Sequence, residues 1–350
     1  MKNIRTLDKT ELTTALEAMG EKGFRAKQIY QWLWKSRVLD FAHMKNIGKE
    51  LQAKLKENFF APETKVSHFQ QSQDGTIKVG FETYDKETIE GVIIPSEERI
   101  TACISSQVGC SLSCTFCATG FLPRKRNLFA FEIYDQVYLL NELALKYYSK
   151  PLTNIVYMGM GEPLLNYDEV VKSFHVLNSE EEGLGIGAKR ITISTSGIVR
   201  NIKRLADEGL KINLALSLHA ATNEKRTAIM DINKSNPLEE LMKILTYFYE
   251  KTHNKITYEY ILLGQYNDSE EDAHNLAKLC KDFPVYVNLI EYNLVAETPY
   301  IKSKKERRDK FLQTLRNQGV QSKVRKSRGK DIDAACGQLA NKIVKMDINL

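Results

Sequence analysis

Apolar residues recur at helical spacing near the start of the chain. Leu16 and Met19 are three positions apart, and Ile29 and Leu33 are four apart, which predicts amphipathic helices. We expect Trp32 and Trp34 to pack inside this unit. Residues 1–62 are therefore interpreted as a helical accessory domain.

The pattern then changes to alternation. The stretches TIKVGFETY and ETIEGVII place apolar and polar residues in turn, as β-strands do, and the Asp74-Gly75 pair is typical of a hairpin turn. Residues 63–98 are predicted to form a β-rich extension.

Short apolar runs alternate with amphipathic stretches from about position 99 onward. This repeated pattern predicts an α/β fold, a parallel sheet covered by helices, and we assign residues 99–345 to one core domain. Roughly six such units leave a closed eight-fold barrel and an open, partial barrel as alternatives. In both, function is expected in the loops after the carboxyl ends of the strands. The apolar runs are ITACIS, TNIVYM, RITIST, INLALSL, ITYEYILL, VYVNLIEY and VQSKVRK.

The composition excludes several classes of protein. With 350 residues, of which 43% are apolar and 27% charged, the chain has enough apolar side chains for a core and is neither disordered, collagen-like nor a small disulfide scaffold. No apolar run approaches the ~20 residues of a membrane-spanning helix. The first residues lack the apolar segment of a secretory signal, so we expect no membrane association and a cytoplasmic location.

The net charge of +6 is unevenly distributed. Positions 301–330 hold 12 Lys and Arg residues against two acids, and positions 1–60 hold 12 against seven. Basic segments of this kind favour a polyanionic partner such as nucleic acid, because neutralised phosphates supply most non-specific affinity. A solubilising surface is the alternative interpretation.

The cysteines narrow the chemistry further. Four of the six fall within fifteen positions, and Cys110, Cys114 and Cys117 have the spacing C-x₃-C-x₂-C directly after a predicted strand. Three thiolates so close together suit an iron–sulfur cluster with one open iron, whereas a structural zinc site normally needs a fourth ligand, which the neighbouring sequence lacks. We interpret Cys280 as a core residue.

The segment CSLSCTFC resembles the radical S-adenosylmethionine (SAM) superfamily. That resemblance implies a partial (βα)₆ barrel, a [4Fe-4S] cluster held by Cys110, Cys114 and Cys117, and cleavage of SAM to a 5′-deoxyadenosyl radical. The later segment MGMGEP is similar to the glycine-rich strand end of the superfamily. There Gly161 allows close backbone approach and Glu162 can accept the ammonium group of SAM.

Polar groups at three further strand ends complete a predicted SAM site. Each alone is more typical of an ordinary strand-end cap, but together they would surround one barrel mouth. These residues are Ser194, Ser217, Leu218, His219 and Asn293.

Two other cysteines need a separate explanation. Cys103 lies on the first core strand, and Cys336 follows a basic segment that begins at Arg325. Neighbouring cations lower the pKa of a thiol, and an accessible thiolate is nucleophilic. A buried structural cysteine is the alternative.

Taken together, the motifs resemble the bacterial RNA adenine-C2 methyltransferases of the RlmN type, relatives of the resistance methyltransferase Cfr. The motifs are ACISSQVGCSLSCTFCATG, RNL, MGMGEPLLN, STSG, SLHA, YND, VRKSRG and DIDAACGQL. The resemblance implies that Cys336 carries a methyl group from one SAM and that a radical from a second SAM activates it. It further implies that Cys103 resolves the protein–RNA adduct through a disulfide with Cys336. Glu90 would be the proton acceptor; otherwise it would be a solvated strand carboxylate.

The same resemblance implies the substrates and partners. They are an adenosine in the peptidyl-transferase region of 23S rRNA, adenosine 37 of certain tRNAs, and an electron donor such as flavodoxin with its reductase. We expect a monomer whose N-terminal domain helps to bind RNA. The segment MGEPLLN favours methylation at C2 over the C8 chemistry of Cfr.

Three alternatives remain at this stage. One is a C8-methylating relative of Cfr. The second is a radical SAM enzyme that acts on another substrate and uses Cys336 structurally. The third is a non-catalytic RNA-binding protein with a structural metal.

Overall fold

The N-terminal unit is helical, as the sequence predicts. The computed structural model describes residues 1–341, so residues 342–345 of the predicted core domain lie outside the described part. Helix α1 begins with a capping box, in which Asp8 and Glu11 each accept a hydrogen bond from the backbone N–H of the other. The elements are β1 (Lys2–Asn3), α1 (Lys9–Ala18), α2 (Arg25–Trp34), α3 (Lys49–Asn58) and β2 (Phe59–Phe60).

Trp34 and Arg5 join this unit to the rest of the chain. Trp34 is fully buried and meets Tyr134 edge to face at a centroid distance of 5.2 Å, whereas Trp32 is only partly buried. The guanidinium of Arg5 donates two hydrogen bonds of 2.8 Å to the carboxylate of Asp135, and both side chains are fully buried.

The β-rich extension is continuous with the core. Its strands are β3 (Lys65–Gln71), β4 (Ile77–Glu82) and β5 (Thr88–Pro95). The predicted hairpin is confirmed, since β3 pairs antiparallel with β4 and Gly75 between them has φ +83°. Strand β5 then pairs antiparallel with β6 (Ile100–Cys103), so one sheet runs through both regions.

All seven predicted core strands form. The sheet has ten strands in the order β14-β13-β12-β11-β10-β9-β6-β5-β4-β3, and the seven from β14 to β6 are parallel. Because β6 pairs with β5 on its outer side rather than with β14, the sheet is open and the closed eight-fold barrel is excluded. The remaining elements are β7 (Gln107–Val108), β8 (Arg126–Asn127), α4 (Ala130–Tyr148), β9 (Asn154–Tyr157), α5 (Tyr167–Asn178), β10 (Ile191–Thr195), α6 (Val199–Asp207), β11 (Asn213–Ser217), α7 (Asn223–Ile229), α8 (Leu238–Thr252), β12 (Ile256–Leu262), α9 (Glu270–Lys278), β13 (Val285–Glu291), α10 (Lys305–Asn317) and β14 (Ser322–Arg325).

The core has two parts. The larger cluster lies between the sheet and its helices, and strands such as β12 are buried along almost their whole length because both faces are covered. A smaller cluster lies at the carboxyl ends of the strands, where Phe116 packs near Ile261, Ile290 and Tyr292. It supports the loop that carries the clustered cysteines. No helix among residues 1–341 is long and apolar enough to cross a membrane.

Candidate active site

The three clustered cysteines lie on the loop between β7 and β8. Cys110, Cys114 and Cys117 line one cavity at the carboxyl end of the sheet. The loop begins at Gly109, whose φ is +75° and where a Cβ atom would fall 2.2 Å from the carbonyl oxygen of Pro123. Only glycine allows this approach, so the turn that presents the cysteines depends on it.

The thiols suit a cluster better than a single ion. Burial raises the pKa of all three, that of Cys110 to about 11, so each stays protonated at neutral pH until a metal displaces its proton. Among residues 1–341, no group of three or more His, Cys, Asp or Glu side chains is arranged to hold one metal ion. In an iron–sulfur cluster each thiolate binds a different iron, which fits thiols spread around one cavity.

The glycines of MGMGEP bring two strand ends together. A Cβ atom at Gly159 would lie 2.7 Å from the carbonyl carbon of Ile104. At Gly161, where φ is +94°, it would lie 2.5 Å from Cβ of Gln107. Both glycines line the cavity, but their immediate neighbours are protein atoms. They therefore set the width of the site by allowing close strand packing.

Glu162 is held in place by backbone groups. Its Oε2 accepts hydrogen bonds from the N–H and hydroxyl of Ser196 at 2.7 and 2.9 Å, and its Oε1 accepts one of 3.0 Å from the N–H of Leu164. Burial raises the pKa of this carboxyl, although the Ser196 hydrogen bonds oppose the shift. A carboxylate accepts about four hydrogen bonds in all, so capacity remains for an ammonium group in the cavity.

Ser194, Ser217 and His219 reach the same cavity. The two serine hydroxyl oxygens are 3.4 Å apart. His219 Nδ1 accepts a 3.1 Å hydrogen bond from the N–H of Ile261, and burial together with Arg226 lowers the pKa of the histidine to about 3. His219 is therefore a neutral imidazole with a fixed orientation.

Arg226 connects these strand ends through hydrogen bonds, and it was not among the residues predicted from the sequence. It is fully buried, and its guanidinium donates to the carbonyl oxygens of Ser196 and Leu218 and to Oδ1 of Asn233. Burial lowers its pKa to about 10, so it stays charged at neutral pH. Arg226 lies on the short helix α7, and no pattern in the sequence indicated this role.

Two residues of the predicted SAM site do not line the cavity. Leu218 is fully buried, and its carbonyl oxygen accepts a 3.1 Å hydrogen bond from Arg226. Asn293 donates from Nδ2 to the carbonyl oxygen of Cys336 at 3.2 Å. Asn293 thus orients the segment of Cys336.

Cys336 lies between two cavities. It lines the cavity of the clustered cysteines and also a second one, which Cys103, Lys326 and Arg328 line as well. The N–H of Ala118, next to a cluster cysteine, donates 2.8 Å to the carbonyl oxygen of Gly337 and joins the two segments. Each of the six cysteines in the chain is a free thiol.

Arg325 supplies positive charge at this junction. The pKa of Arg325 is raised, chiefly by its electrostatic interaction with Cys336. Oε2 of Glu259 lies 3.7 Å from Nη1 of Arg325. Burial, with the charge of Cys336, raises the pKa of Cys103 to about 12, so this thiol is protonated at neutral pH. Glu259 was also missed, although an acid inside the apolar run ITYEYILL is a recognisable signal.

Glu90 is buried rather than solvated, so its ordinary interpretation as a solvent-exposed carboxylate is wrong. It is 1% exposed, and Oε2 accepts hydrogen bonds of 3.0 and 3.1 Å from the N–H groups of Ala340 and Asn341. Nζ of Lys78 lies 3.6 Å from Oε1. Glu90 thus holds the chain just beyond Cys336 and lines neither cavity.

The basic segment at positions 301–330 is divided by its fold. Helix α10 occupies its centre, and there Arg307 and Lys310 form ion pairs of 2.7 Å with Asp268 and Glu270. The charges beside Cys336 are Arg325, at the end of β14, and Lys326 and Arg328, which follow it. Only this last part of the segment faces the second cavity.

Comparison with known proteins identifies the family. Residues 104–277 match the family model of the radical SAM superfamily, and residues 2–60 match that of the ribosomal RNA large subunit methyltransferase N-terminal domain. The probable dual-specificity RNA methyltransferase RlmN of Cytophaga hutchinsonii is 50% identical over 98% of this chain and 94% of its own. The protein of the same name from Christiangramia forsetii is 50% identical over 97% of both chains. The chain belongs to the RlmN family.

A solved structure agrees with this assignment. The crystal structure of a radical SAM methyltransferase from Sphaerobacter thermophilus has a TM-score of 0.89 and 39% identity, and the match covers 97% of this chain and 99% of the other. The protein is therefore a radical SAM enzyme that methylates RNA, and the fold is that of the superfamily. Membership implies SAM and an iron–sulfur cluster as cofactors.

Proposed function

We propose that this RlmN-family enzyme methylates C2 of one adenosine in the peptidyl-transferase region of 23S rRNA and of adenosine 37 in certain tRNAs. The position of Cys336 carries the proposal. Its side chain borders the cavity of the cluster cysteines on one side and the basic cavity of Cys103 on the other. A residue that shuttles a one-carbon unit from SAM to RNA needs access to both.

The chain's own residues take distinct roles. A [4Fe-4S] cluster and SAM, when bound, supply the 5′-deoxyadenosyl radical and the methyl group. Cys336 carries that methyl group, and its sulfur-bound methylene radical adds to adenine C2. Glu90, which lies two residues from Val92 of the second cavity on the same face of β5, accepts the C2 proton, and the cluster, when bound, would take up the one electron that the adduct radical loses. The thiol of Cys103 then loses its proton and attacks the sulfur of Cys336. The bond between that sulfur and the methylene carbon breaks, the carbon takes up a proton to become the methyl group, and methylated RNA leaves a Cys103–Cys336 disulfide behind.

The cofactor contacts follow from the cavity. Cys110, Cys114 and Cys117 hold the cluster. The residues that would bind SAM from the cavity wall are Gly161, Glu162, Ser194, Ser217 and His219. Leu218 and Asn293 do not line the cavity and would support the SAM site through Arg226 and through the carbonyl oxygen of Cys336. We further propose a cytoplasmic monomer reduced by flavodoxin and its reductase.

Nucleoside mass spectrometry of a deletion strain tests the substrate. We expect 2-methyladenosine to disappear from both 23S rRNA and tRNA, and a plasmid copy to restore it. Retention in both RNAs would refute the proposal. Loss of 8-methyladenosine instead would establish the Cfr-like alternative.

Cysteine variants test the mechanism. Cys336→Ala should abolish methylation of RNA, and Cys103→Ala should accumulate a covalent protein–RNA species on denaturing gels. Cys280→Ala is the matched control, because its Sγ donates to the Leu276 carbonyl oxygen and it lines neither cavity. Full turnover by Cys336→Ala would exclude the methyl-cysteine route.

Iron and sulfide assays after anaerobic purification test the metal. We expect about four of each per chain, as a cubane cluster requires. A colourless protein loaded with zinc would favour the non-catalytic RNA-binding alternative.

A further inference from the structure

Lys78 and His68 share one buried face of the sheet with Glu90. Nζ of Lys78 lies 3.6 Å from Oε1 of Glu90, and the two side chains are 4% and 1% exposed. His68 on β3 lies opposite Gly80 on β4, which in turn lies opposite Glu90 on β5. Residues directly opposite one another point to the same face of a sheet.

Gly80 lets the imidazole of His68 reach towards Glu90. A Cβ atom at Gly80 would fall 2.0 Å from Cε1 of the His68 ring. The ring therefore lies over the glycine, in the space between the strands of His68 and Glu90. Any other residue at position 80 would displace the ring.

Two buried polar atoms on this face have no hydrogen-bond partner among the described residues. They are Oε1 of Glu90 and Nε2 of His68. Buried polar atoms are nearly always paired, so two unpaired ones on the same face need an explanation. Since Oε2 of Glu90 is taken by Ala340 and Asn341, Oε1 is the oxygen left to receive a proton.

His68 also has a route to solvent. Its Nδ1 is 3.0 Å from the hydroxyl oxygen of Ser67, which is exposed on β3, the outer strand of the sheet. The imidazole thus lies between a buried carboxylate and an exposed hydroxyl. A neutral imidazole has one acceptor and one donor nitrogen, as a proton relay requires.

We propose that Lys78 and His68 are positioning residues for Glu90, Lys78 by keeping the carboxylate ionised and His68 by passing its proton to solvent. The inference rests on the proposed role of Glu90 as proton acceptor. The protonated carboxyl of Glu90 passes its proton through a bridging water to Nε2 of His68, while Nδ1–H of His68 releases one through Ser67 to the solvent. Glu90 returns to the carboxylate, His68 stays neutral, and one proton leaves.

Few titratable groups face Glu90. From the neighbouring strands these are Lys78 on β4, His68 on β3 and, diagonally, the thiol of Cys103 on β6, which pairs with Val92. Within the described part of the C-terminal segment, which ends at Asn341, the N–H groups of Ala340 and Asn341 donate to the carboxylate.

The pH dependence of single-turnover methylation tests Lys78. Removing a cation this close favours the neutral carboxyl, so Lys78→Met should move the acidic limb of the rate profile up by about 1–3 pH units, with activity recovering at higher pH. Lys78→Arg should keep the wild-type profile. An unmoved acidic limb in an active Lys78→Met enzyme would overturn the role of Lys78.

Chemical rescue tests His68. We expect His68→Ala to complete a first turnover normally but to slow multiple-turnover release of methylated RNA by roughly tenfold or more, because Glu90 is no longer reset, and added imidazole to restore the rate. His274→Gln, an exposed histidine on α9, is the control and should be unaffected. His68→Gln is a second variant that fills the space without relaying protons and should be slow as well. Wild-type rates in both His68 variants would overturn the relay.

The two proposals fail in different ways. A wild-type enzyme that makes no methyladenosine on RNA contradicts the proposed function. An active wild-type enzyme whose Lys78 and His68 variants keep its profile and rate contradicts only this inference.

Discussion

We expect the contact between the N-terminal unit and the core to be most sensitive to loss of the buried carboxylate of Asp135. Besides the two hydrogen bonds from Arg5, it accepts one of 3.1 Å from Nε of Arg37 and one of 3.0 Å from the N–H of Thr64. The side chains of Arg5 and Asp135 are 0% exposed. Asp135→Asn keeps the shape of the residue but removes its charge, and the new amide group points donors at a guanidinium.

The expected loss of stability follows from the charge of Arg5, which Asp135→Asn leaves buried without its carboxylate partner. Breaking one partner of a buried ion pair costs about 3–5 kcal/mol, because the remaining charge is buried without compensation. Such a loss is a large share of the roughly 5–15 kcal/mol that stabilises a typical folded protein. Asp168 offers a matched control. It forms an ion pair of 2.8 Å with Arg204, but its side chain is 81% exposed, and an exposed ion pair contributes at most about 1 kcal/mol to stability.

Urea denaturation at pH 7, followed by circular dichroism, measures both variants. We expect Asp135→Asn to lose about 3–5 kcal/mol of unfolding free energy and Asp168→Asn less than about 1 kcal/mol. RNA affinity should fall with Asp135→Asn, because the N-terminal unit is no longer held in place. A loss below about 1 kcal/mol for Asp135→Asn would refute the reasoning.

The stability of the wild-type protein should also depend on pH through this group. Burial alone would raise the pKa of Asp135, but Arg5 and Arg37 hold it below its usual value of 3.8. A lowered pKa means that the contribution is complete above about pH 4 and is lost as the pH falls through the folded-state pKa. Asp135→Asn should lack this acid-dependent loss.

Three further predictions concern the site. At Gly161 φ is +94°, and an added Cβ atom would lie 2.5 Å from Cβ of Gln107. Gly161→Ala should therefore cost roughly 1–3 kcal/mol of stability and weaken SAM binding, which isothermal titration calorimetry would show; unchanged affinity would contradict this prediction. Arg226→Met removes the donor to the buried Ser196 carbonyl oxygen and to Oδ1 of Asn233 and should cost about 2–5 kcal/mol of unfolding free energy in urea denaturation, while wild-type stability would contradict the role of Arg226 in joining these strand ends. Cys114→Ala should abolish the visible absorbance of the reconstituted enzyme while Cys280→Ala keeps it, and equal absorbance in both would exclude Cys114 as a ligand.

Local patterns were enough to predict most of the fold. Short apolar runs identified all seven core strands, and the turn at Gly75 followed from its Asp-Gly pair, because apolar patterns and turn chemistry are properties of neighbouring residues. Helix α10 was missed, since its many charged residues weaken the apolar pattern. The apolar pattern left the choice between an open and a closed sheet undecided, because pairing of β6 with β5 is a long-range contact, and the partial barrel was predicted only from the resemblance to the radical SAM superfamily.

Residue types and their spacing in the sequence indicated the class of chemistry, whereas the tertiary structure determined which side chains lie together and which are buried. The spacing of Cys110, Cys114 and Cys117 predicted a cluster site, because reactive side chains at a fixed spacing imply a chemistry, whereas the roles predicted for Cys336 and Cys103 came from the resemblance to the RNA adenine-C2 methyltransferases. The burial of Glu90, its contact with Lys78 and the ties made by Arg226 were not, because each joins residues from separate strands and helices. Burial and charge pairing depend on which distant segments the folded chain brings together, and no local pattern records that.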